Sequence, residues 1–231
     1  MSGGWFIAGT DTAVGKTRIA RMLLTALATQ GQRAIGMKPV ASGCRQTPNG
    51  LRNEDAEWLL ASSGVTADYI DVNPYAFEPA VAPNLAAQAA GLEIRVEAIL
   101  DHFERLHRLA PWVVVEGVGG WLAPLGPRLT MADVAHSLRL PVILVVGMRL
   151  GCLNHALLTV DAIRQRGLIL AGWVANRIDP DMAMAEENVS ALRDRIEAPM
   201  LASFPYLENG TNQAPFPAFP LSRLLPLSKQ I

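Results

Sequence analysis

The sequence predicts a doubly wound α/β fold, a mainly parallel sheet with helices on both faces. Short apolar segments alternate along the chain with longer segments of helical periodicity, and several of the apolar segments lack polar alternation. Strands buried on both faces have this composition, and parallel strands need helical crossovers between them. The 231 residues suffice for one large core, so we expect a single domain over 1–231.

The periodicity gives the order of the elements. Strands are predicted at 5–8, 34–37, 112–115, 142–146, 169–175 and 200–204. Helices are predicted at 16–30, 53–63, 94–109, 131–138, 153–166 and 182–196. The prolines of segment 71–91 predict irregular structure there, followed by an alanine-rich stretch. Further prolines predict a loop-rich C-terminal tail over about 207–231 that wraps around the domain.

Composition bounds the partners and the compartment. The formal net charge is −1, which gives no reason to expect nucleic acid or a membrane surface as a partner. No apolar run approaches the length that spans a bilayer, and the N-terminus lacks a signal-like segment. The two cysteines, Cys44 and Cys152, form neither a disulfide framework nor a zinc motif. We therefore expect reduced thiols and a cytoplasmic protein.

Residues 9–17, Gly-Thr-Asp-Thr-Ala-Val-Gly-Lys-Thr, stand between the first predicted strand and the first predicted helix. A glycine loop in this position directs backbone N–H groups at phosphate oxygens. Lys16 adds a point charge, and the Thr17 hydroxyl suits Mg²⁺, which prefers oxygen ligands. The segment predicts a P-loop NTPase-like site for a nucleoside triphosphate, although five residues rather than the usual four separate Gly9 from Gly15.

Other candidates stand where predicted strands end, the edge at which open α/β sheets bind ligands. Lys38 follows the second strand, in a loop that also offers Ser42, and would lie beside the phosphate loop if the two strands are neighbours. Glu116 ends the strand at 112–115 and precedes a glycine-rich segment, a placement typical of a carboxylate that holds Mg²⁺ or its waters. Asp55 is equally consistent with a metal ligand and with an acid that complements a helix dipole.

Two further segments are open to more than one interpretation. Asn176 could pair with both donor and acceptor on a purine edge, but taken alone it is better explained by an Asx turn before Asp179. Segment 151–155 begins a predicted helix whose exposed amides could take an anion. No serine, histidine and aspartate order of a catalytic triad emerges.

Taken together, these motifs resemble the dethiobiotin synthetase family. The matching segments are 9–17, 38–43, 53–55, 73–75, 116–120, 151–155 and 172–176. The match runs from residue 5 to about 207, and the lengthened phosphate loop is the form that this family has. The resemblance implies an ATP- and Mg²⁺-dependent cyclo-ligase that joins CO₂ or bicarbonate to 7,8-diaminononanoate (7,8-diaminopelargonate). The products would be the cyclic urea dethiobiotin, ADP and phosphate, in biotin biosynthesis.

The resemblance also assigns roles to residues. Lys16 and Lys38 would be catalytic, beside the carbamate and the γ-phosphate. The implied metal ligands are Thr17, Asp55 and Glu116, and the implied substrate contacts are Thr12, Ser42 and Asn154. The implied nucleotide-binding residues are Ala13, Val14, Gly15, Lys16, Thr17, Arg18, Asp55, Glu116, Gly117, Val118, Gly119, Asn176, Arg177, Pro205, Tyr206 and Leu207. A homodimer with substrate at its interface is implied as well.

The chain departs from the family pattern at three positions. Ala13 stands where glutamate is common, Arg177 where an acid is familiar and Asn84 where histidine is familiar. None of the three belongs to the implied metal or lysine set, so they bear on nucleotide preference rather than on the reaction.

Three other protein classes fit the sequence less well. A regulatory ATPase of the partitioning or division-site type shares the predicted sheet, but that group has an additional lysine where this chain has Asp11. Amide ligases of the cobyrinate type need a glutaminase domain for which 231 residues leave no room. A nucleotide-binding structural protein without turnover gives no reason for Lys38, Asp55 and Glu116 together.

Overall fold

The computed structural model describes residues 3–207 and 219–224. Its main sheet has six strands, and all five ladders between them are parallel. The strands are β1 (Gly3–Gly9), β2 (Ala34–Met37), β7 (Trp112–Glu116), β8 (Val142–Met148), β9 (Leu170–Arg177) and β10 (Met200–Phe204). Their order across the sheet is β10-β9-β8-β1-β7-β2, with β1 at the centre.

Helices connect and cover these strands. They are α1 (Lys16–Thr29), α2 (Glu54–Ala61), α3 (Tyr69–Val72), α4 (Pro83–Ala89), α5 (Val96–Leu109), α6 (Met131–Leu138), α7 (Cys152–Gln165) and α8 (Ala185–Arg193). A 3-10 helix, Leu221–Arg223, follows near the end of the chain. Two small ribbons complete the described part, β3 (Val40–Ala41) with β6 (Tyr75–Ala76) and β4 (Arg45–Thr47) with β5 (Gly50–Arg52).

The sheet separates two hydrophobic cores. Alternate residues of β1 point to opposite faces, so Phe6 and Ala8 join one core while Trp5 and Ile7 join the other. The predicted doubly wound, parallel α/β fold is therefore confirmed, as are its six strands.

Helix α1 packs on the Trp5 side through an apolar stripe that includes Leu23 and Leu27, both fully buried. Burying each such side chain contributes about 1.5–3 kcal/mol. Helix α2 approaches β2 on the same side, where a Cβ on Gly36 would lie 2.7 Å from Leu59 Cβ. Only glycine permits this approach, which brings the start of α2 toward the carboxyl end of the sheet.

The prediction of irregular structure over 71–91 is wrong in part. Residues Pro83–Ala89 form α4, in which Pro83 occupies the first helical turn. Proline is well suited to this position because its missing N–H would have no intrahelical partner there. Tyr75–Ala76 also forms a strand, paired with Val40–Ala41.

Other differences concern boundaries and short elements. The hairpin of β4 and β5 is missing from the sequence prediction, and the helix expected at 182–196 is the shorter α8. Of the predicted C-terminal tail, 208–218 and 225–231 lie outside the described residues. In the described part, Phe219, Leu221 and Leu224 are buried in the core that contains α1.

Candidate functional site

The carboxyl ends of the parallel strands border a cavity of about 570 Å³. Most of the residues that the sequence analysis singled out meet here. The lining comprises Thr12, Ala13, Gly15, Lys16, Thr17, Arg18, Lys38, Ala41, Ser42, Asn53, Asp55, Glu116, Val118, Gly119, Asn176, Arg177, Ile178, Tyr206 and Leu207. Ala41, Asn53 and Ile178 are additions to the predicted set, each next in sequence or near to a predicted member.

The loop between β1 and α1 is built for close approach of a ligand. Gly15 has φ +95°, and a Cβ there would lie 2.3 Å from Asn176 Nδ2, so only glycine suits the position. Ala13 also adopts a left-handed conformation, with φ +57°, which costs a non-glycine residue about 1–2 kcal/mol. Strained backbone of this kind concentrates at ligand sites. The first N–H groups of α1 have no intrahelical partners and face the cavity end of the helix.

Lys16 is 6% exposed and donates from Nζ to the carbonyl of Asp11 at 2.8 Å. Burial, followed by the charge of nearby Lys38, lowers the pKa of Lys16 to about 8. Glu116, Asp55 and Asp11 oppose this shift only in part. An anionic ligand beside Lys16 would stabilise the charged form of this lysine.

A buried ionic cluster forms one end of the cavity. Lys38 Nζ lies 2.5 Å from Glu116 Oε1 and 3.1 Å from Asp55 Oδ2. Thr17 Oγ1 donates to the same Glu116 oxygen at 2.8 Å. Burial alone would lower the pKa of Lys38, but Glu116 and Asp55 together outweigh it and raise the pKa above its usual value. Lys38 is therefore held as a cation at 4% exposure.

Main-chain and side-chain contacts fix Lys38 in place. Its N–H donates to the carbonyl of Val72 at 2.8 Å, and Asn73 Nδ2 donates to the Lys38 carbonyl at 2.7 Å. Asn73 is 1% exposed. Asn73 belongs to the motif segment 73–75, for which the sequence predicts no individual role. The available signal was an asparagine that precedes a proline between predicted elements. Its hydrogen bond to Lys38, 35 residues earlier in the chain, leaves no local pattern in the sequence.

Asp55 owes its place to the start of α2. Asn53 caps this helix, since its side chain accepts from the N–H of Ala56 at 3.3 Å. Asp55 then lies in the first helical turn and also contacts Lys38. Burial would raise the pKa of Asp55, but Lys38 and the Thr17 hydroxyl outweigh it, and the pKa is lowered. Asp55 is therefore an acid in the first turn of a helix, as one interpretation holds, and its role as a metal ligand stays a prediction.

The donor set suits a divalent cation of the Mg²⁺ type. Thr17, Asp55 and Glu116 offer hydroxyl and carboxylate oxygens, which hard cations prefer. Glu116 Oε2 is buried and has no hydrogen-bond partner, so an acceptor is available for a ligand. Within 3–207 and 219–224, no group of three or more His, Cys, Asp or Glu forms a metal cluster. Two carboxylates and a hydroxyl are a donor set that could hold Mg²⁺, which commonly takes one or two carboxylates and completes its shell with phosphates and water.

The Asx-turn interpretation of Asn176 is wrong, whereas its pairing with a purine edge stays a prediction. Asn176 lies inside β9 rather than in an Asx turn, and that turn belongs to Asp179, whose side chain accepts from the N–H of Asp181 at 3.0 Å. Asn176 Nδ2 donates to the Val14 carbonyl at 2.9 Å, and its Oδ1 accepts from Arg18 at 3.1 Å. Each end of the amide thus makes one hydrogen bond within the protein, and its oxygen and its NH₂ group can each make a second.

Four predicted site residues lie outside the cavity lining. Val14 is buried beside Gly147, and the N–H of Gly117 donates to the Ile7 carbonyl at 3.1 Å. Pro205 is exposed just beyond β10. Asn154 is exposed near the start of α7.

A second concave region of about 450 Å³ adjoins the phosphate loop. Its lining includes Asp11, Trp121, Leu122, His155 and Leu158. Asp11 forms an ion pair with Arg149, which joins the phosphate loop to the segment between β8 and α7.

Comparison with known proteins decides the family. The chain is 50% identical over 202 residues to an ATP-dependent dethiobiotin synthetase BioD of Xanthomonas axonopodis pv. citri, covering 87% of this chain and 90% of that protein. It is 53% identical over 203 residues to the protein of the same name from Aromatoleum aromaticum, with 88% and 90% covered. This chain belongs to the dethiobiotin synthetase family. It is an ATP-dependent ligase that forms dethiobiotin in biotin biosynthesis, as the resemblance predicted.

Two further comparisons agree with the fold. The family model of an AAA domain matches residues 4–214 of the synthetase. The Aquifex aeolicus MinC:MinD cell division protein complex superposes with a TM-score of 0.55 at 16% identity, covering 89% of this chain and 82% of that chain. A putative plasmid partition protein of Borrelia burgdorferi bound to AMPPNP gives 0.56 at 11% identity, covering 99% of each chain. These structures share the P-loop NTPase fold with the synthetase, and the likeness extends no further.

A membrane-spanning role finds no support in the helices. Within 3–207 and 219–224, none combines the length and the apolar character that a bilayer crossing requires.

Proposed function

We propose that the synthetase carries out an ATP- and Mg²⁺-dependent carboxylation and ring closure. CO₂, supplied by bicarbonate, would be joined to 7,8-diaminononanoate to give dethiobiotin, ADP and phosphate. One observation carries this proposal, namely the buried cation Lys38 with Glu116, Asp55 and Thr17 in the same cavity as the phosphate loop.

The nucleotide would lie along the carboxyl edge of the sheet. Free N–H groups at the start of α1, with Lys16, would hold the phosphates. Thr17, Asp55 and Glu116 would hold Mg²⁺, which supplies neutralisation of charge on the transferring phosphoryl group. The Tyr206 and Leu207 side of the cavity would receive the base and ribose.

Lys38 would stabilise the first intermediate. An amine of the substrate adds to CO₂ and loses a proton, which gives a carbamate anion. A desolvated cation close to this anion favours it more than an exposed lysine would. Ser42 and Thr12 line the cavity nearby and would contact the substrate.

The remaining steps need positioning rather than a protein nucleophile. A carbamate oxygen attacks the γ-phosphorus of ATP, which expels ADP and gives a carbamic–phosphoric anhydride. The second amine then attacks the carbamate carbon, closes the ring and expels phosphate. Lys16 and Lys38 would balance the negative charge that builds up on the oxygens.

We also propose a homodimer that completes the substrate site. Leu150 is 94% exposed, and Leu122 and Leu158 are also exposed beside the second concave region. Asn154, absent from the cavity lining, would reach the carboxylate tail of the substrate from the partner. The cytoplasm is the proposed compartment, supported by the buried free thiols of Cys44 and Cys152.

The test is turnover by the purified protein. Protein, ATP, Mg²⁺ and bicarbonate are incubated with and without 7,8-diaminononanoate, while ADP release and product mass are followed. We expect ADP only with the diamine, together with a product of dethiobiotin mass. ATP hydrolysis that ignores the diamine would contradict the proposal.

A further inference from the structure

Tyr69 lies outside the cavity lining, directly behind the residues that carry the ionic cluster. The guanidinium carbon of Arg52 is 4.1 Å from the centre of its ring. Arg52 precedes Asn53, the capping residue of α2, so this contact places the ring beside the start of that helix. The Tyr69 hydroxyl accepts there from the Asn53 N–H at 2.8 Å.

The same hydroxyl also donates. A neutral tyrosine hydroxyl has one proton to give and lone pairs that accept. Tyr69 Oη uses both functions, since it accepts from Asn53 and donates to Asn73 Oδ1 at 3.1 Å. Burial raises the pKa of Tyr69 above its usual value, so the donated proton is retained at neutral pH.

The Asn73 amide extends the connection to Lys38. Asn73 Nδ2 donates to the Lys38 carbonyl at 2.7 Å, and the Lys38 N–H donates to the Val72 carbonyl at 2.8 Å. Both main-chain polar groups of Lys38 are thus held by residues 72–73, at the end of the short helix that Tyr69 begins. The amide fits in one orientation, because reversal would set its oxygen against the Lys38 carbonyl oxygen.

The other end of the connection reaches Asp55. Asn53 is 9% exposed and caps α2, and Asp55 follows in the first turn of that helix. Three hydrogen bonds therefore run from the start of α2 through Tyr69 and Asn73 to the main chain of Lys38. We call this connection the Tyr69–Asn73 bridge.

The bridge joins the main chains of two residues whose side chains meet in the cavity. Lys38 Nζ lies 3.1 Å from Asp55 Oδ2. Lys38 follows β2 and Asp55 belongs to α2, so their separation depends on how the start of α2 is held against the end of β2. Precision matters here, since a misplacement of about 1 Å in a reacting group can cost about a hundredfold in rate.

We propose that the Tyr69 hydroxyl and the Asn73 amide are positioning groups, which hold Lys38 and Asp55 at the separation that the reaction needs. This inference rests on the proposed function, in which Lys38 contacts the carbamate and Asp55 holds the metal. It deepens that function by adding residues that contact neither substrate nor nucleotide.

Tyr69→Phe removes the bridging hydroxyl and keeps the ring beside Arg52. We expect kcat for dethiobiotin formation to fall about tenfold, which is about 1.4 kcal/mol of barrier. The KM for ATP is expected to stay within about twofold of the wild type, because the phosphate loop between β1 and α1 makes none of the three hydrogen bonds.

Tyr75→Phe is the matched control. The Tyr75 hydroxyl also accepts from a main-chain N–H, that of Arg95 at 3.0 Å. The Tyr75 carbonyl accepts from Asn73 Nδ2 at 3.3 Å, a main-chain contact that this change keeps. We expect both variants to lower the midpoint of urea unfolding similarly, and Tyr75→Phe to keep the kcat of the wild type. An equal fall in kcat in both variants would assign the effect to general stability and overturn the inference.

Crystal structures of the wild type and of Tyr69→Phe, both without nucleotide, test the positioning itself. We expect the separation of Lys38 Nζ and Asp55 Oδ2 to lengthen from 3.1 Å to beyond about 4 Å, the limit for an ion pair. An unchanged separation or an unchanged kcat would overturn the inference.

Asn73→Ala interrupts the bridge at its other member and serves if Tyr69→Phe fails to fold. It removes the acceptor of the Tyr69 hydroxyl and the donor to the Lys38 carbonyl together. The same lengthening and a fall in kcat of about tenfold or more are expected. A kcat equal to that of the wild type would refute the positioning role.

These results separate from those on the reaction. A lengthened ion pair in Tyr69→Phe, with a wild type that makes no dethiobiotin, would refute the proposed reaction and leave the bridge as the support of the pair. Dethiobiotin formation by the wild type and by Tyr69→Phe at equal kcat would refute only the positioning role.

Discussion

Lys38 Nζ and Glu116 Oε1 lie 2.5 Å apart in the interior of the molecule, at 4% and 1% exposure. The pair joins the ends of β2 and β7, which are neighbours in the sheet. Its attraction is strong because little water is present to screen it, and either partner left alone would be a buried unpaired charge. In the proposed mechanism, Lys38 would contact the carbamate and Glu116 would help to hold the metal.

Replacing Lys38 with methionine should lower turnover at least a hundredfold, which is about 2.7 kcal/mol of barrier. The carbamate would lose its cation, whereas the phosphate loop would still hold ATP. Steady-state ADP release and calorimetric ATP binding measure the two effects. Turnover near that of the wild type would remove Lys38 from the catalytic machinery.

The same variant leaves Glu116 without its partner, so we expect a stability loss of about 3–5 kcal/mol. The double variant Lys38→Met with Glu116→Gln removes both charges and should regain much of that loss. It should remain inactive. Denaturant unfolding of both variants measures this, and an active double variant would contradict the account.

Glu116→Gln should raise the Mg²⁺ concentration needed for half-maximal turnover by roughly tenfold or more. The reason is that a neutral amide binds hard cations less well than a carboxylate. Glu57→Gln is the matched control, since Glu57 lies in α2 close to Asp55 in sequence but outside the cavity lining. A Mg²⁺ titration of each variant decides. Identical titrations would remove Glu116 from the metal site.

Gly15→Ala should destabilise the protein by at least about 1 kcal/mol more than Gly31→Ala. Both glycines have positive φ, +95° and +70°, and both variants carry that strain. The new Cβ at position 15 would also lie 2.3 Å from Asn176 Nδ2, whereas nothing lies within 4 Å at position 31. Urea unfolding measures the free energy of unfolding of both variants, and the difference between their losses reports the cost of the contact with Asn176. Equal losses would show that the loop yields around the Cβ.

Stability should fall in acid through Asp71. Burial would raise its pKa, but hydrogen bonds with His102 and Arg105 outweigh burial and lower the pKa below its usual value. A carboxyl with a lowered native pKa stabilises the fold above its unfolded pKa, and this contribution is lost as the pH falls through the native pKa.

Asp71→Asn should therefore flatten the decline in unfolding free energy below about pH 4. Denaturant unfolding between neutral and acidic pH measures the slope. Glu97→Gln serves as the control, because Glu97 is an exposed acid on α5. A slope that changes equally in both variants would contradict the assignment to Asp71.

Much of the site could be predicted because many of its residues lie where parallel strands end. Lys38 and Glu116 follow apolar runs, and the topology of parallel sheets brings such ends to one edge. The contacts of Asn176 could not be predicted in the same way. Its amide pairs with Val14 and Arg18, about 160 residues distant, and no local pattern records such a pairing.

The missed elements have local reasons. Residues 45–52 form a hairpin of three-residue strands, which are too short to show an apolar alternation. Pro83 suggested a break, yet proline begins helices as readily as it ends them. The six central strands were found because their burial on both faces left unbroken apolar runs.

The origin of one phosphate oxygen tests the proposed mechanism most directly. Bicarbonate labelled with ¹³C and ¹⁸O is given with ATP and the diamine in a single turnover, quenched before the label exchanges with water. Attack by the carbamate oxygen predicts one ¹⁸O in the released phosphate and ¹³C in the ureido carbon of dethiobiotin. Phosphate free of ¹⁸O, formed together with labelled dethiobiotin, would contradict the carbamic–phosphoric anhydride and with it the role given to Lys38.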